Sequence, residues 1–473
     1  MPTAIRALRE RLRPATLTVV PVTQGTVGNE MQQASLLMDA ILALWAPGAP
    51  PHEAFPVACR AAGVAVRERI AGDAAADRSV GAMAGLCIGD AVGAPLEFLP
   101  ADGSPAPSTP LPREGGRGPS RRASRACLAA EPSADGRLQY ANERNAFHLH
   151  RGQWTDDGAM SLCLADSLIA RGGYHGGDCR TRYHHWWHFG YNNAFRFDDT
   201  PGRCSVGLGG NIAKSLDETM RFSGRSADDV PWRFAAAGED AGNGSIMRLA
   251  PVPVLFQADA GLGMAQAIEQ SYATHPGPDA AACCAFVSFV VSHAIQRDAA
   301  AHPETMADFL DHEVADFLAT VVASEANAAD TGLQRLARVL RCAPPSEKEA
   351  LWSWRDERLA VEATLRARGP TYNGYPVSAG YLGSYCMDGL SMALWGLHHS
   401  RSFSECILDV VNLLGDADTI GAIAGQVAGA FYGFSALASD ALGATMVRDM
   451  RRWDPASEIP LRALLLHEDG IRG

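Results

Sequence analysis

The run Gly81-Ala82-Met83-Ala84-Gly85-Leu86-Cys87-Ile88-Gly89-Asp90-Ala91-Val92-Gly93-Ala94 constrains this chain more than any other stretch. Its small residues recur with helical periodicity, so it predicts a helix whose neighbours can approach very closely. The core domain is expected to begin here, at about residue 79. Glycine is abundant over the whole chain (47 residues), and the apolar (47%) and charged (20%) fractions are those of a globular protein.

The expected class is all-α. Helical patterns dominate after Trp154, over 160–171, 181–191, 264–272, 280–295, 307–323, 354–365, 387–399, 403–414 and 420–435, while strand-like alternation is scarce. No fixed-period repeat is evident, which disfavours a solenoid. Residues 1–78 form a separate helical extension in this reading, with patterns over 31–45 and 54–70 split by the breaker Pro47-Gly48-Ala49-Pro50-Pro51. Residues 79–473 form one domain, interrupted at about 101–135 by a segment rich in Pro, Gly, Ser and Arg that reads as a mobile surface insertion.

Charge and cysteine content narrow the function. A formal net charge of −12 leaves no electrostatic footprint for nucleic acid. Eleven cysteines without CxxC pairs read as buried thiols of a reducing compartment. The apolar stretch Leu17–Val22 is too short for a signal-peptide core. The run Ala280–Ile295 contains Ser288, Ser292 and His293 and falls short of a membrane span. A cytoplasmic protein with no membrane partner is expected.

Two acidic motifs stand apart from ordinary surface charge. Trp154-Thr155-Asp156-Asp157-Gly158 opens one predicted helix, and Gly415-Asp416-Ala417-Asp418-Thr419-Ile420-Gly421 opens another made almost entirely of small residues. Helix capping would occupy one acid per helix, not two with a hydroxyl. Packed together in a small-residue interior, four carboxylates repel unless cations lie between them, and all-oxygen donors suit Mg²⁺ or Mn²⁺. The sequence leaves open whether the motifs meet. Gly242-Asn243-Gly244-Ser245-Ile246-Met247-Arg248 and Thr274-His275-Pro276 are further candidates for a ligand pocket, the first through backbone N–H groups exposed by glycine. The cluster Tyr183-His184-His185-Trp186-Trp187-His188 lacks a matching Cys or carboxylate and reads as packing rather than a metal site.

In order along the chain, the segments Gly81–Phe98, Trp154–Gly158, Gly242–Pro251, Thr274–Pro276, Tyr381–Leu394 and Leu414–Tyr432 resemble the ADP-ribosylglycohydrolase family. The resemblance implies a compact, orthogonal multi-helix fold with a binuclear centre of two divalent cations, Mg²⁺ or Mn²⁺. It implies Thr155, Asp156, Asp157, Asp416, Asp418 and Thr419 as metal ligands, and Glu97 with Asp157 as acid/base or positioning groups. Asn243, Gly244, Ser245 and His275 would line the ADP-ribose path, with Tyr381 packing on the adenine. The implied reaction is hydrolysis of ADP-ribose from a modified protein side chain, arginine above all. One departure concerns the general acid: where the family commonly carries Asp-x-Gly before a helix, this chain reads Cys204-Ser205-Val206-Gly207.

The extension suggests a partner. In layout the chain resembles immunity proteins that counter ADP-ribosylating toxins, so residues 1–78 are a candidate contact for a cognate ADP-ribosyltransferase. The alternatives are a protein that acts mainly by occluding such a toxin, and an inactive ADP-ribose-binding relative.

Overall fold

In the computed structural model, the described residues are 2–12, 17–22, 36–101, 131–132, 138–139, 146–200, 203–236, 240–298, 304–369 and 380–470. The N-terminal half contributes α1 (Pro2–Arg11), α2 (Leu36–Trp45), α3 (Pro51–Ile70), α4 (Ala74–Gly93), α5 (Asp156–Arg171), α6 (Gly176–Phe189) and α7 (Gly210–Met220). There follow α8 (Pro251–Leu255), α9 (Ala260–Tyr272), α10 (Pro278–Gln296), α11 (Met306–Phe317), α12 (Thr331–Leu340) and α13 (Val361–Arg368). The C-terminal part holds α14 (Cys386–His399), α15 (Phe403–Val411), α16 (Ala417–Tyr432), α17 (Phe434–Leu437), α18 (Ala441–Met450) and α19 (Glu458–Gly470). The all-α expectation holds, with one addition: a two-stranded antiparallel ladder pairs 131–132 with 138–139, inside and just beyond the expected insertion. Residues 102–130 of that insertion lie outside the described residues.

Helix limits differ from the periodicity at places with local causes. The pattern over 354–365 gives instead a 3₁₀ segment at 347–352 and then α13, and the pattern over 420–435 stops at Gly433, whose φ of +84° ends the helix. Helices α1, α7, α8, α12, α18 and α19 have no counterpart among the expected segments. All but α19 are of 11 residues or fewer, and α19 carries Arg462 and His467 on faces that the fold buries.

Two helices form the axis of the core. A Cβ placed on Gly81, Gly85, Gly89 or Gly93 of α4 would lie 2.1, 2.2, 2.0 or 2.3 Å from the carbonyl oxygens of Gly429, Gly425, Gly421 and Ala417 of α16. The helices therefore run antiparallel in backbone contact along four turns. Only residues without a Cβ permit this, and glycine CαH groups facing carbonyl oxygens add weak attraction along the seam. The pairing brings the end of α4, where Glu97 follows a 3₁₀ turn, to the start of α16, where Asp416 and Asp418 sit. Backbone bonds lock the junction: Phe98 N donates to Gly415 O (3.0 Å) and Gly415 N to Leu99 O (2.9 Å).

The remaining layers hold this axis. α5 is tied to α19 by buried Arg462, whose Nε donates to Asp166 Oδ1 at 2.8 Å, while Tyr191 and Asn192 donate to Asp166 Oδ2. The helices α4 and α10 are long and apolar enough to span a membrane, yet 94% and 89% of their apolar windows are buried inside the protein, so they serve as core helices. Helices α1 to α3 pack on the same core: Ile5, Leu8, Ile41 and Ala62 are fully buried in it. Arg9 and Arg69 pair with Asp469 and Glu468 at the end of α19, each at 2.6 Å. His184 and His185 donate to the carbonyls of Val20 and Thr18, holding an extended N-terminal strand; burial lowers both imidazoles to about 4, so they are neutral.

The seam is directly testable. Gly85→Val forces its new side chain into backbone rather than a movable side chain, and is expected to cost about 3 kcal/mol or more. Gly173→Ala, with open space around its Cβ position, is expected to be near neutral. Urea unfolding of both variants checks the contrast; equal midpoints would refute the seam.

Candidate metal centre and cleft

The two acidic motifs converge. Their helices α5 and α16 start beside the end of α4, and their side chains face a cleft of about 880 Å³ lined by Glu97, Asp156, Asp416, Asp418 and Thr419 at one end. Asp90, Asp157 and Asp418 bring ligand oxygens within 4.8 Å of one another, and so do Glu97, Asp416 and Asp418, with Asp418 common to both groups.

Capping does not account for these acids. Neither Thr155, at the start of α5, nor Asp416, at the start of α16, makes a side-chain cap hydrogen bond. The free N–H groups of α5 are met from another helix. Fully buried Asp90 of α4 accepts from Thr155 N (3.0 and 2.9 Å), Thr155 Oγ1 (2.8 Å) and Gly158 N (2.8 Å). Asp156 is thereby left for the cleft, whereas Asp157 is buried and is not among the described lining residues. Both oxygens of Asp157 and Oε2 of Glu97 are buried with no hydrogen-bond partner among the described residues.

Burial first, and the neighbouring carboxylates second, raise Glu97, Asp156 and Asp157 well above the usual carboxylate range. The same causes push Asp416 up to about 8, and Asp418 is raised as well. Burial alone takes Asp90 to about 7 against the hydrogen bonds it accepts. Unpartnered buried oxygens among mutually repelling acids are the condition that a hard divalent cation relieves, so the donor set fits such ions.

The other expected residues divide. Asn243 is central: its Nδ2 donates to Asp416 Oδ2 (2.7 Å) and Gly383 O (3.0 Å), orienting the carboxylate. Gly244 and His275 line the cleft together, and a Cβ on Gly244 would stand 3.0 Å from the imidazole. Burial, aided by Arg248, lowers His275 to about 3, so the ring is neutral and its Nδ1 meets Thr274 Oγ1 at 2.8 Å. Ser245 is placed differently from the expectation. Its hydroxyl is fully buried against Ser271 Oγ (2.8 Å) and Cys284, away from the cleft, because the turn that points Asn243 outward points Ser245 into the core. Tyr381 is in the cleft but at its acidic end, stacked on Phe98 (centroids 5.8 Å, 21°) with its phenol bonded to Asp416.

The Cys204–Gly207 loop lies against the centre. Ser205 donates to Trp186 O (2.6 Å), and a Cβ on Gly207, at φ +88°, would lie 1.8 Å from Asp156 Oδ1, so the loop backbone rests on that carboxylate. Sequence reasoning missed Asp90, although a lone acid inside an otherwise small and apolar helix was the available signal. It also missed Arg248, whose guanidinium binds Gly244 O, Gln270 and Thr274 Oγ1 and so joins the Gly242–Arg248 turn to His275. No local pattern marks that role.

The chain is 27% identical over 363 residues to an ADP-ribosylarginine hydrolase, Tri1, of Pseudomonas putida (strain GB-1), covering 77% of this chain and 72% of that protein. It is 28% identical to the Tri1 of Serratia proteamaculans (strain 568), with 76% and 72% covered. It is 24% identical to the ADP-ribosyl-[dinitrogen reductase] glycohydrolase of Rhodospirillum rubrum, with 80% and 94% covered. A solved chain described as an ADP-ribosylglycohydrolase-related protein complex shares the fold, with a TM-score of 0.52 at 23% identity over 84% of this chain and 99% of that one. The ADP-ribosylglycohydrolase family model matches residues 71–466, and the chain belongs to that family.

Proposed function

We propose that this protein is a metal-dependent hydrolase that removes ADP-ribose from arginine side chains of a modified protein. The observation that carries this reading is the meeting of Asp156, Asp416, Asp418, Thr419 and Glu97 at the end of one cleft, with a ligand oxygen of Asp157 within 4.8 Å of one of Asp418 and no side-chain cap hydrogen bond from Thr155 or Asp416. The names of the two relatives from Pseudomonas and Serratia support arginine as the acceptor.

Thr155, Asp156, Asp157, Asp416, Asp418 and Thr419 would hold two divalent cations, Mg²⁺ or Mn²⁺, with Asp418 shared. Bound ions would neutralise the carboxylates and act as Lewis acids toward ribose oxygens and water. The chain's own residues do the rest. Asn243 fixes the rotamer of Asp416, the Gly207 loop fixes Asp156, and Asp90 fixes the start of α5, so the cluster is ordered before substrate arrives. Glu97 and Asp157, with unpartnered oxygens, are assigned to the proton transfers. The bond between the anomeric carbon and the guanidino nitrogen breaks, a water oxygen bonds to that carbon, and a proton passes to the departing nitrogen. Carboxylates also stabilise the positive charge that grows on the anomeric carbon. Gly244 and neutral His275 line the remainder of the ADP-ribose path.

The finer biological reading is immunity in the cytoplasm against an ADP-ribosyltransferase, with residues 1–78 as the partner-binding segment. Two observations favour it. The free thiols suit a reducing compartment, and α3 leaves Val57 and Val64, two turns apart, exposed on its outer face. Retention of a cognate transferase by the full chain is expected to be lost when residues 23–35 are deleted or when Val57→Asp and Val64→Asp are combined. Undiminished retention in both variants ends the reading.

The enzyme reading is checked by release of ADP-ribose from ADP-ribosyl-arginine protein with Mg²⁺ or Mn²⁺ and with chelator. Asp156→Ala and Asp418→Ala are each expected to lower kcat by roughly 10³-fold, and chelator to abolish turnover. Full activity in either variant would sink the assignment. Asp90→Asn should act at one remove, because its amide keeps one acceptor oxygen in place of two, so Thr155 N, Thr155 Oγ1 and Gly158 N cannot all be met. Its Mn²⁺ affinity is expected to fall on the order of 10- to 100-fold while the helical circular dichroism is unchanged, which calorimetric titration measures.

A further inference from the structure

Away from the acids, the cleft has a second charged feature. Its described lining carries five other formally charged side chains besides those of the metal cluster's Asp156, Asp416 and Asp418 if His275 is counted: Glu97, Asp240, Asp279, His275 and Arg335. His275 is neutral, so Arg335 is the one fixed cation among the described lining residues. Its position is built. Gly332, one turn earlier on α12, packs on Pro278, where a Cβ would stand 2.4 Å from Pro278 O. That contact sets Arg335 over Asp279, at the start of α10, and Nη1 of Arg335 pairs with Asp279 Oδ2. The phenol of Tyr385 donates to the same carboxylate oxygen at 3.0 Å. Asp279 is 3% exposed, whereas the Arg335 side chain is 45% exposed, so the anchor is buried and the guanidinium is presented. Tyr385 in turn pairs with Gly242, and Cys386 N donates to Ala241 O (2.9 Å), which joins this triad to the Gly242–Gly244 turn.

We propose that Arg335 binds the diphosphate of the substrate and selects ADP-ribose over ligands without that charge, with Asp279 and Tyr385 as its positioning residues. The inference rests on the ADP-ribose reading above. A dianionic linker entering a cleft lined by carboxylates needs a cation to offset the repulsion. A guanidinium has five N–H donors in a planar fork, and the pair with Asp279 is made through Nη1, leaving donors that match phosphate oxygens. Asp279 does not cancel this role: it fixes the direction of a side chain that would otherwise sweep through solvent.

Calorimetric titration of the full-length protein with ADP-ribose, ADP and adenosine tests the proposal, alongside turnover on ADP-ribosyl-arginine. Arg335→Gln is expected to weaken ADP-ribose and ADP on the order of 10- to 100-fold and to leave adenosine unchanged, with KM rising far more than kcat falls. Arg335→Lys should recover part of the loss because it keeps the charge without the fork. Tyr385→Phe should weaken ADP-ribose by a smaller factor, again sparing adenosine. Equal losses for ADP-ribose and adenosine would mean a collapsed cleft and overturn the proposal. So would unchanged ADP-ribose affinity with a raised KM only on the modified protein, which would make Arg335 a contact for the acceptor. If the wild-type protein itself bound no ADP-ribose, the functional reading would fall with it; wild-type binding that Arg335→Gln preserves would overturn this inference alone.

Discussion

The approach of α4 to α16 along Gly81, Gly85, Gly89 and Gly93 is the contact on which the site depends. Helices with ordinary side chains pack 8–10 Å apart, and at that spacing Glu97 and Asp418 would belong to separate surfaces. Removal of every Cβ along the seam lets the backbones touch, so the end of one helix and the start of the other become one wall. The same contact places Asp90, halfway into the seam's last turns, under the start of α5. Three helix ends are thereby fixed by one interface, and the acids they carry share one space.

Concentrating carboxylates in a buried region is costly, and the fold handles the cost in two ways. Some acids are matched with cations away from the metal cluster: Asp166 with Arg462, Asp178 with Arg171, and Asp388 with Arg368 are pairs that hold helices together. The acids of the metal cluster have no such cation among the described residues. Asp416 is steadied by Asn243 and Asp90 by α5's N–H groups, which are neutral donors that orient a carboxylate without neutralising it. A protein that pairs its structural acids so thoroughly, yet leaves both oxygens of Asp157 and Oε2 of Glu97 buried without a hydrogen-bond partner among the described residues, has kept them for something it binds.

The N-terminal helices also belong to this economy. Expected as an appendage, α1 to α3 bury Ile5, Leu8 and Ile41 in the shared core and neutralise the acids at the end of α19 through Arg9 and Arg69. Their exposed outer face is what remains available to a partner, whereas their inner face supports the catalytic helices.

The sequence by itself determined the helical class, the tight seam helix, and the residue types at both acidic motifs, because small-residue periodicity and paired acids before a helix are local signals. It also pointed to Asn243, Gly244 and His275 through a glycine-flanked turn and a lone imidazole. It did not determine which of those side chains face the cleft. Asn243 and Ser245 stand two residues apart in one turn and face opposite ways, and only the packing of Ser271 and Cys284 beneath the turn decides which is buried. Asp90, Arg248 and Arg335 were beyond local reading for the same reason. Their roles lie in partners 65, 26 and 56 residues away, Thr155, Thr274 and Asp279, and the tertiary structure alone brings those atoms together.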